Sequence, residues 1–221
     1  MLVLTTAALP QLMQHWRPNL GRLITPRHYS RLEDTGLCGM PWAADNDALA
    51  GFDEGRYMRM LEAIASGDPG QSRPHFGCRF VAIPDDARMR PDGPIVSAEG
   101  TLELFDYWEP LIVAQYRLPL ALVLQDGQER LPVPWRRIAA VFVGGSTTWK
   151  LGQHAAALVA EARHRGKYVH MGRVNSARRA AYAASIGCDS IDGTGASKFR
   201  DRRLPEYLAF AAAPQQIRLT P

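Results

Sequence analysis

Cysteine is scarce in this sequence. Cys38, Cys78 and Cys188 are far apart, odd in number and never spaced as C-x-x-C. That pattern argues against a disulfide framework and against a cysteine zinc site, and it suits a reducing cytoplasm. The six histidines contain no H-x-x-x-H or H-E-x-x-H pair, so neither a structural metal nor a bound cofactor is expected. No run of about 18 apolar residues occurs, so no membrane span is expected. The opening stretch MLVLTTAALPQLMQHW is apolar but has no basic residues at its start. It reads as a first strand and helix, not a signal peptide. No G-x-G-x-x-G follows the first strand, which weakens a dinucleotide-binding reading. No repeat or linker divides the chain, so residues 1–221 read as a single domain.

What the sequence does have is an ordinary soluble composition: 46% hydrophobic and 22% charged over 221 residues. That is enough for one sizeable core. Eight short apolar runs are candidate strands: 2–6, 21–27, 41–46, 78–84, 118–125, 139–145, 167–173 and 188–194. Several are continuously apolar, as parallel strands buried on both faces must be. Helical patterns fall between them, at 53–65, 99–115 and 151–165. Another is capped by Ser176 and closed by Gly187, and a last one lies near 204–213. Strand and helix repeated eight times predict a compact α/β fold, a (β/α)8 TIM barrel, with an open doubly wound sheet as the alternative. The Pro/Gly-rich stretch 84–98 reads as a long loop on the catalytic face, with the character of a lid.

Polar residues recur at the C-terminal ends of the strands, where barrel active sites sit. They are Asp45, Asn46 and Asp47, then Asp85 and Asp86, Gln125 and Asp126, Gly144 and Gly145, Met171, Gly172 and Arg173, and finally Asp192. Taken singly, Asp45 and Asp47 also suit helix capping, Asp85 a turn, the glycine pair a tight turn, and Met171 the core. Their joint placement favours a site. Carboxylates crowded into one partly dry pocket repel, so their pKa values should split. One then serves as an ionised nucleophile and another as an acid.

The net charge of +4 is uneven. Residues 163–203 hold ten Lys/Arg against three Asp, so that segment is +7 and the remainder is 4 − 7 = −3. Concentrated positive charge suits a polyanion, and it equally suits the solvated faces of ordinary helices.

The order of these motifs resembles the tRNA-guanine transglycosylase superfamily, in particular the short DpdA-like members linked to 7-deazaguanine insertion into DNA. AADNDALAGF stands where that family has D-S-G-G-F. VAIPDD supplies Asp85, VLQDG supplies Gln125 and VFVGGS supplies Gly144 and Gly145. VHMGRVNS is similar to the family's M-G-V-G stretch, and CDSIDGTG to its nucleophile strand. The resemblance spans roughly residues 20–200. Two departures stand out. Asn46-Asp47-Ala48 replaces S-G-G, and the family's C-terminal zinc motif is missing, which points away from tRNA and toward DNA.

The resemblance implies that Asp192 attacks the sugar C1′ and Asp45 acts as general acid/base. It implies that Asp85, Gln125 and the Gly145 backbone read the base, with Gly144 and Gly172 beside it and Met171 as an apolar floor. Arg173, Arg178, Lys198, Arg200, Arg202 and Arg203 would hold phosphates around an extruded nucleotide. The implied partners are nucleic acid, DNA before tRNA, and a 7-deazaguanine base as co-substrate. A barrel N-glycosidase using the same carboxylates, and a non-catalytic nucleic-acid-binding barrel, remain as alternatives. Asp189, early on the last strand, reads as structural, and Gly193 and Gly195 as the turn beside the substrate.

Overall fold

A computed structural model describes residues 1–7, 9–29, 40–66, 77–193 and 200–212. Eight parallel strands close into a barrel: β1 (Leu2–Thr5), β2 (Leu20–Ile24), β3 (Trp42–Ala44), β4 (Cys78–Ala82), β7 (Leu120–Leu124), β8 (Ala140–Val143), β9 (Tyr168–Met171) and β10 (Ser190–Asp192). Two further strands, β5 (Asp86–Arg90) and β6 (Gly93–Ser97), stand outside the ring. Barrel strands that follow one another in sequence are neighbours in the ring, and β10 closes it by pairing with β1 from Leu2↔Ser190 to Leu4↔Asp192. All eight apolar runs therefore form barrel strands, each within or one residue beyond the expected range. Helices α1 (Leu9–Gln14), α2 (Glu54–Ser66), α3 (Ala98–Tyr116), the short α4 (Thr147–Lys150), α5 (Gln153–His164), α6 (Ala177–Ile186) and α7 (Arg200–Ala212) lie along the connections. Among the described residues, no helix is long and apolar enough to cross a membrane.

The period of two along each strand sorts side chains into two cores. Outward positions such as Val3, Leu122, Val143, Met171 and Ile191 pack in the layer between sheet and helices. Inward positions fill the lumen: Leu4, Leu23, Ala43, Phe80, Ala82, Ala121, Val123, Ala140 and Phe142. Alanines on four strands leave the room that two phenylalanines take up, and the Phe80 and Phe142 rings meet edge to face at 6.0 Å. This jigsaw seals the lumen below the mouth, so the barrel is a packed body with chemistry at one end.

Local signals set the helix ends. The Ser97 hydroxyl accepts the Gly100 N–H at 3.0 Å and starts α3, and Ser176 does the same for Arg179 at 3.3 Å in α6. Gly187 ends α6 at φ 93°, a left-handed cap that costs glycine little. The helix expected over 151–165 begins two residues later, because Ser146 first caps the separate turn α4.

One expectation fails outright. Residues 84–98 are not a long loop. They hold the antiparallel hairpin of β5 and β6, in register from Asp86↔Ser97 to Arg90↔Gly93. The two-residue Pro91-Asp92 turn followed by Gly93 at φ 130° makes a tight reversal rather than a loop. The Thr101 hydroxyl of α3 accepts the Asp86 N–H at 3.1 Å and ties the hairpin base to the barrel wall. Lys198 and Gly195 lie outside the described residues.

Candidate active site at the barrel mouth

Strand parity decides which side chains reach the mouth. Asp45 continues the inward face of Ala43, Gln125 that of Val123, Gly144 and Gly172 those of Phe142 and His170, and Asp192 that of Ser190. Asp45, Asp85, Gln125 and Asp192, expected from sequence to share a pocket, do converge there.

Asp45 is half-buried at the mouth. Burial, then the neighbouring Asp192, Asp47 and Asp85 carboxylates, push its pKa up to about 8. Asp85 is buried, and that burial pushes its pKa up to about 6. The Asn46 amide, donating to Oδ1 at 2.8 Å, and the Gln125 amide, donating to Oδ2, restrain the rise, as does the nearby Arg173 charge. Two carboxyls in one pocket thus hold protons to different degrees at neutral pH.

Gln125 and Gly145 are brought together in a role other than the expected one. The Gln125 side-chain oxygen accepts the Gly145 N–H at 2.6 Å while its amide nitrogen donates to Asp85. Both ends of the Gln125 amide are therefore committed to bracing Asp85 and the Gly144–Gly145 turn. Asn46 is a second brace. It donates to Asp85 and to the Ile83 carbonyl and accepts the Ala48 N–H, so it fixes the turn after β3. Asp126 caps the other side of the mouth, accepting the Ser146 N–H at 2.5 Å and its hydroxyl at 2.6 Å.

Met171 is not the floor of the pocket. It is fully buried in the layer between sheet and helices, in register with Val143 and Ile191. Its neighbours His170 and Gly172 are the luminal ones. Gly172 has no room for a side chain, because a Cβ there would collide with the Phe142 ring. Phe142 is therefore the apolar group directly under that part of the mouth. The Gly172 carbonyl is held by Lys150, whose buried ammonium donates to it at 2.7 Å. Burial, and then the Arg173 charge, lower the Lys150 pKa to about 7.

Arg173 also departs from expectation. Its backbone is left-handed at φ 57°, which turns the side chain toward the mouth and not toward an exposed basic face. The guanidinium donates to the Gly145 carbonyl, and its half-burial lowers its pKa. Asp192, Asp85, Asp126 and Asp45 oppose that lowering, in that order, so one cation sits among four carboxylates.

The basic segment is not one patch. Arg163, Arg165 and Lys167 lie at the opposite end of the barrel. There Arg163 pairs with Asp189, Arg165 with Glu161, and Lys167 donates to the Ile138 carbonyl. Asp189 also accepts the Val169 N–H, as its structural reading required. Arg178 and Arg179 occupy the first turn of α6, on the mouth side, with no acidic residue beside them in that turn. Cations there oppose the helix dipole, so stability does not account for the placement. Residues 200, 202 and 203 fall in the first turn of α7, which also begins on the mouth side.

Sequence reasoning misses His170. Its ring is fully buried in the lumen, 4.5 Å from Phe142 and 5.1 Å from Phe80 between centroids. Nδ1 lies 2.8 Å from Ser190 Oγ, and Nε2 lies 3.1 Å from Asp192 Oδ1. The signal that could have found it is parity: in YVHMG, His170 shares the face of Gly172, two positions on. Among the described residues, no three His, Cys, Asp or Glu side chains are grouped so as to hold a metal ion.

No family model and no curated protein matches this sequence. Among solved structures it is similar to dihydrodipicolinate synthase from Bacillus clausii, at 10% identity and a TM-score of 0.44, over 84% of this chain and 59% of that one. It is also similar to dihydrodipicolinate synthase from Oceanobacillus iheyensis, at 9% identity and a TM-score of 0.46, over 91% of this chain and 64% of that one. The chain spans about three-fifths of the length of these two structures. Likeness at this level carries no argument about chemistry.

Proposed function

We propose that this barrel exchanges guanine for a 7-deazaguanine base in nucleic acid, DNA in preference to tRNA, through a covalent Asp192 glycosyl-enzyme. The observation that carries this reading is the pairing of Asp45, whose pKa near 8 keeps a proton available at neutral pH, with Asp192 in the same pocket. An acid and a nucleophile on one sugar–base bond are what a double displacement needs.

In the first step an Asp192 oxygen bonds to C1′ as the C1′–N bond breaks, and the departing guanine takes the Asp45 proton. In the second, the incoming base loses its N–H proton to the Asp45 carboxylate and bonds to C1′. The ester breaks and Asp192 is regenerated. Two displacements avoid a free oxocarbenium ion. The target nucleotide must leave its stack to reach the mouth. Arg178, Arg179 and the arginines in the first turn of α7 hold its flanking phosphates.

The test is incubation with guanine-containing DNA or tRNA and a labelled 7-deazaguanine. Label entering the polymer, and lost in Asp192→Ala, supports exchange. Guanine release without incorporation makes the protein an N-glycosidase. Binding with neither makes it a nucleic-acid-binding barrel.

A further inference from the structure

The Asp192 carboxylate is not held symmetrically. Two donors converge on Oδ1, His170 Nε2 at 3.1 Å and the Arg173 backbone N–H at 3.2 Å. Among the described residues, no hydrogen bond to Oδ2 is present.

The imidazole that makes the first of these bonds cannot drift. The Phe80 and Phe142 rings pack against it, it is fully buried, and its far nitrogen meets Ser190 Oγ at 2.8 Å. Ser190 and His170 are also register partners on adjacent strands, so the sheet itself sets that distance. A carboxylate oxygen can only accept, so Nε2 must carry the hydrogen. Nδ1 then accepts from the Ser190 hydroxyl, which fixes the tautomer. The Arg173 N–H is aimed by the same left-handed backbone that turns its guanidinium to the mouth.

We propose that His170 is a positioning residue for Asp192: its Nε2–H, with the Arg173 backbone N–H, pins Oδ1 and leaves Oδ2 as the one oxygen presented for attack on C1′. The inference rests on the reading of Asp192 as nucleophile. Both donors act on Oδ1, so the Oδ2 lone pairs stay free for attack. Ser190 acts one step further back, by choosing which ring nitrogen carries the hydrogen. Nothing transfers along this chain during the reaction. In the covalent step Oδ2–C1′ forms, C1′–N breaks, and the leaving base takes its proton from Asp45.

The experiment compares wild type, His170→Phe and His170→Gln as full-length protein, with guanine-containing DNA and labelled 7-deazaguanine. Phe keeps the ring's bulk and loses the donor, whereas the Gln amide nitrogen can reach the place of Nε2. The expected result is a fall of about 100-fold in kcat and in the rate of protein–DNA adduct formation for His170→Phe. KM for the DNA and for the base is unchanged, and His170→Gln recovers at least tenfold. The 15N spectrum of the wild-type ring shows the Nε2–H tautomer, and Ser190→Ala weakens that selection.

Unchanged kcat and adduct rate in a folded His170→Phe would overturn the inference while leaving exchange standing. So would an Nδ1–H tautomer, or equal loss in Phe and Gln variants that both keep the wild-type melting temperature. Wild-type protein that forms neither product nor adduct overturns the exchange reading, and the inference with it. If His170→Phe does not fold, the Gln variant and the tautomer decide.

Discussion

The side-chain oxygen of Gln125 accepts the backbone N–H of Gly145 at 2.6 Å, tying the end of one strand to the turn after the next. Because the same amide donates to Asp85, its loss leaves a buried N–H and a buried carboxyl each short of a partner. Gln125→Leu should therefore lower stability by about 2–4 kcal/mol. It should also raise the Asp85 pKa above about 6, since a hydrogen bond that favours the ionised form is gone. Urea denaturation and 13C titration of the Asp85 carboxyl check the two effects. A variant as stable as wild type, with an unmoved Asp85 titration, refutes the bracing role.

Asp45 should make folding stability fall as pH rises. Its folded pKa of about 8 is above the ordinary 3.8, so the folded state binds the extra proton between those limits. The group's penalty is absent below about pH 4, grows as the unfolded carboxyl ionises, and is complete above about pH 8. Lys150, with a folded pKa of about 7 against an ordinary 10.5, works the other way only above about pH 7. Asp85, with a folded pKa of about 6, adds to the Asp45 slope below about pH 6, so the clean window is about pH 6 to 7. Across it, wild-type stability should drop by a few kcal/mol at most, and Asp45→Asn should flatten the slope while abolishing exchange. Parallel slopes in urea melts of the two proteins count against a protonated Asp45 in the folded state.

Much of the architecture is legible in the sequence, and the reason is physical. A parallel strand buried on both faces has few alternatives to an apolar run, so LALVL and AVFV declare themselves. A barrel then sends their C-terminal ends to one place, which is why Asp45, Asp85, Gln125 and Asp192 converge. Parity and local chemistry are harder to read. The order of a motif puts Met171 in the pocket, although its position between His170 and Gly172 puts it outside the lumen. His170 stays hidden because a lone histidine in an apolar strand carries no spacing signal. Arg173 looks like one more base in a basic segment, and only a left-handed backbone shows that it turns inward. Pro91 and Gly93 suggest a loop because the same residues that break strands also make tight hairpins.

The two arginines at the start of α6 should govern salt dependence rather than chemistry. Replacing Arg178 and Arg179 by Gln should weaken DNA binding about equally for all sequences. It should also lower the slope of log K against log salt by roughly one for each phosphate that is no longer neutralised. The rate of the chemical step at saturating DNA should stay at the wild-type value. Fluorescence anisotropy at several salt concentrations measures the slope. An unchanged slope removes these residues from the nucleic-acid surface.

Gly172 and Phe142 should behave as a coupled pair. Gly172→Ala drives a methyl into the Phe142 ring, and such overpacking costs about 1–3 kcal/mol. Phe142→Leu alone should also destabilise, by removing part of the packing around His170. The double variant should be more stable than the sum of the two losses allows. A double-mutant cycle by thermal denaturation tests this, and strict additivity contradicts it.

The hairpin of β5 and β6 leaves and re-enters the barrel at one point. Asp86 and Ser97 face each other across its base, and the residue after each belongs to the hairpin on one side and to helix α3 on the other. The ten residues between them can therefore be regarded as an appendage grafted onto a complete β4-to-α3 connection. A shorter version of this protein, with Asp86 and Ser97 joined by a tight turn, has no severed ends to reunite. Length at this position is free to vary without disturbing the ring of strands below.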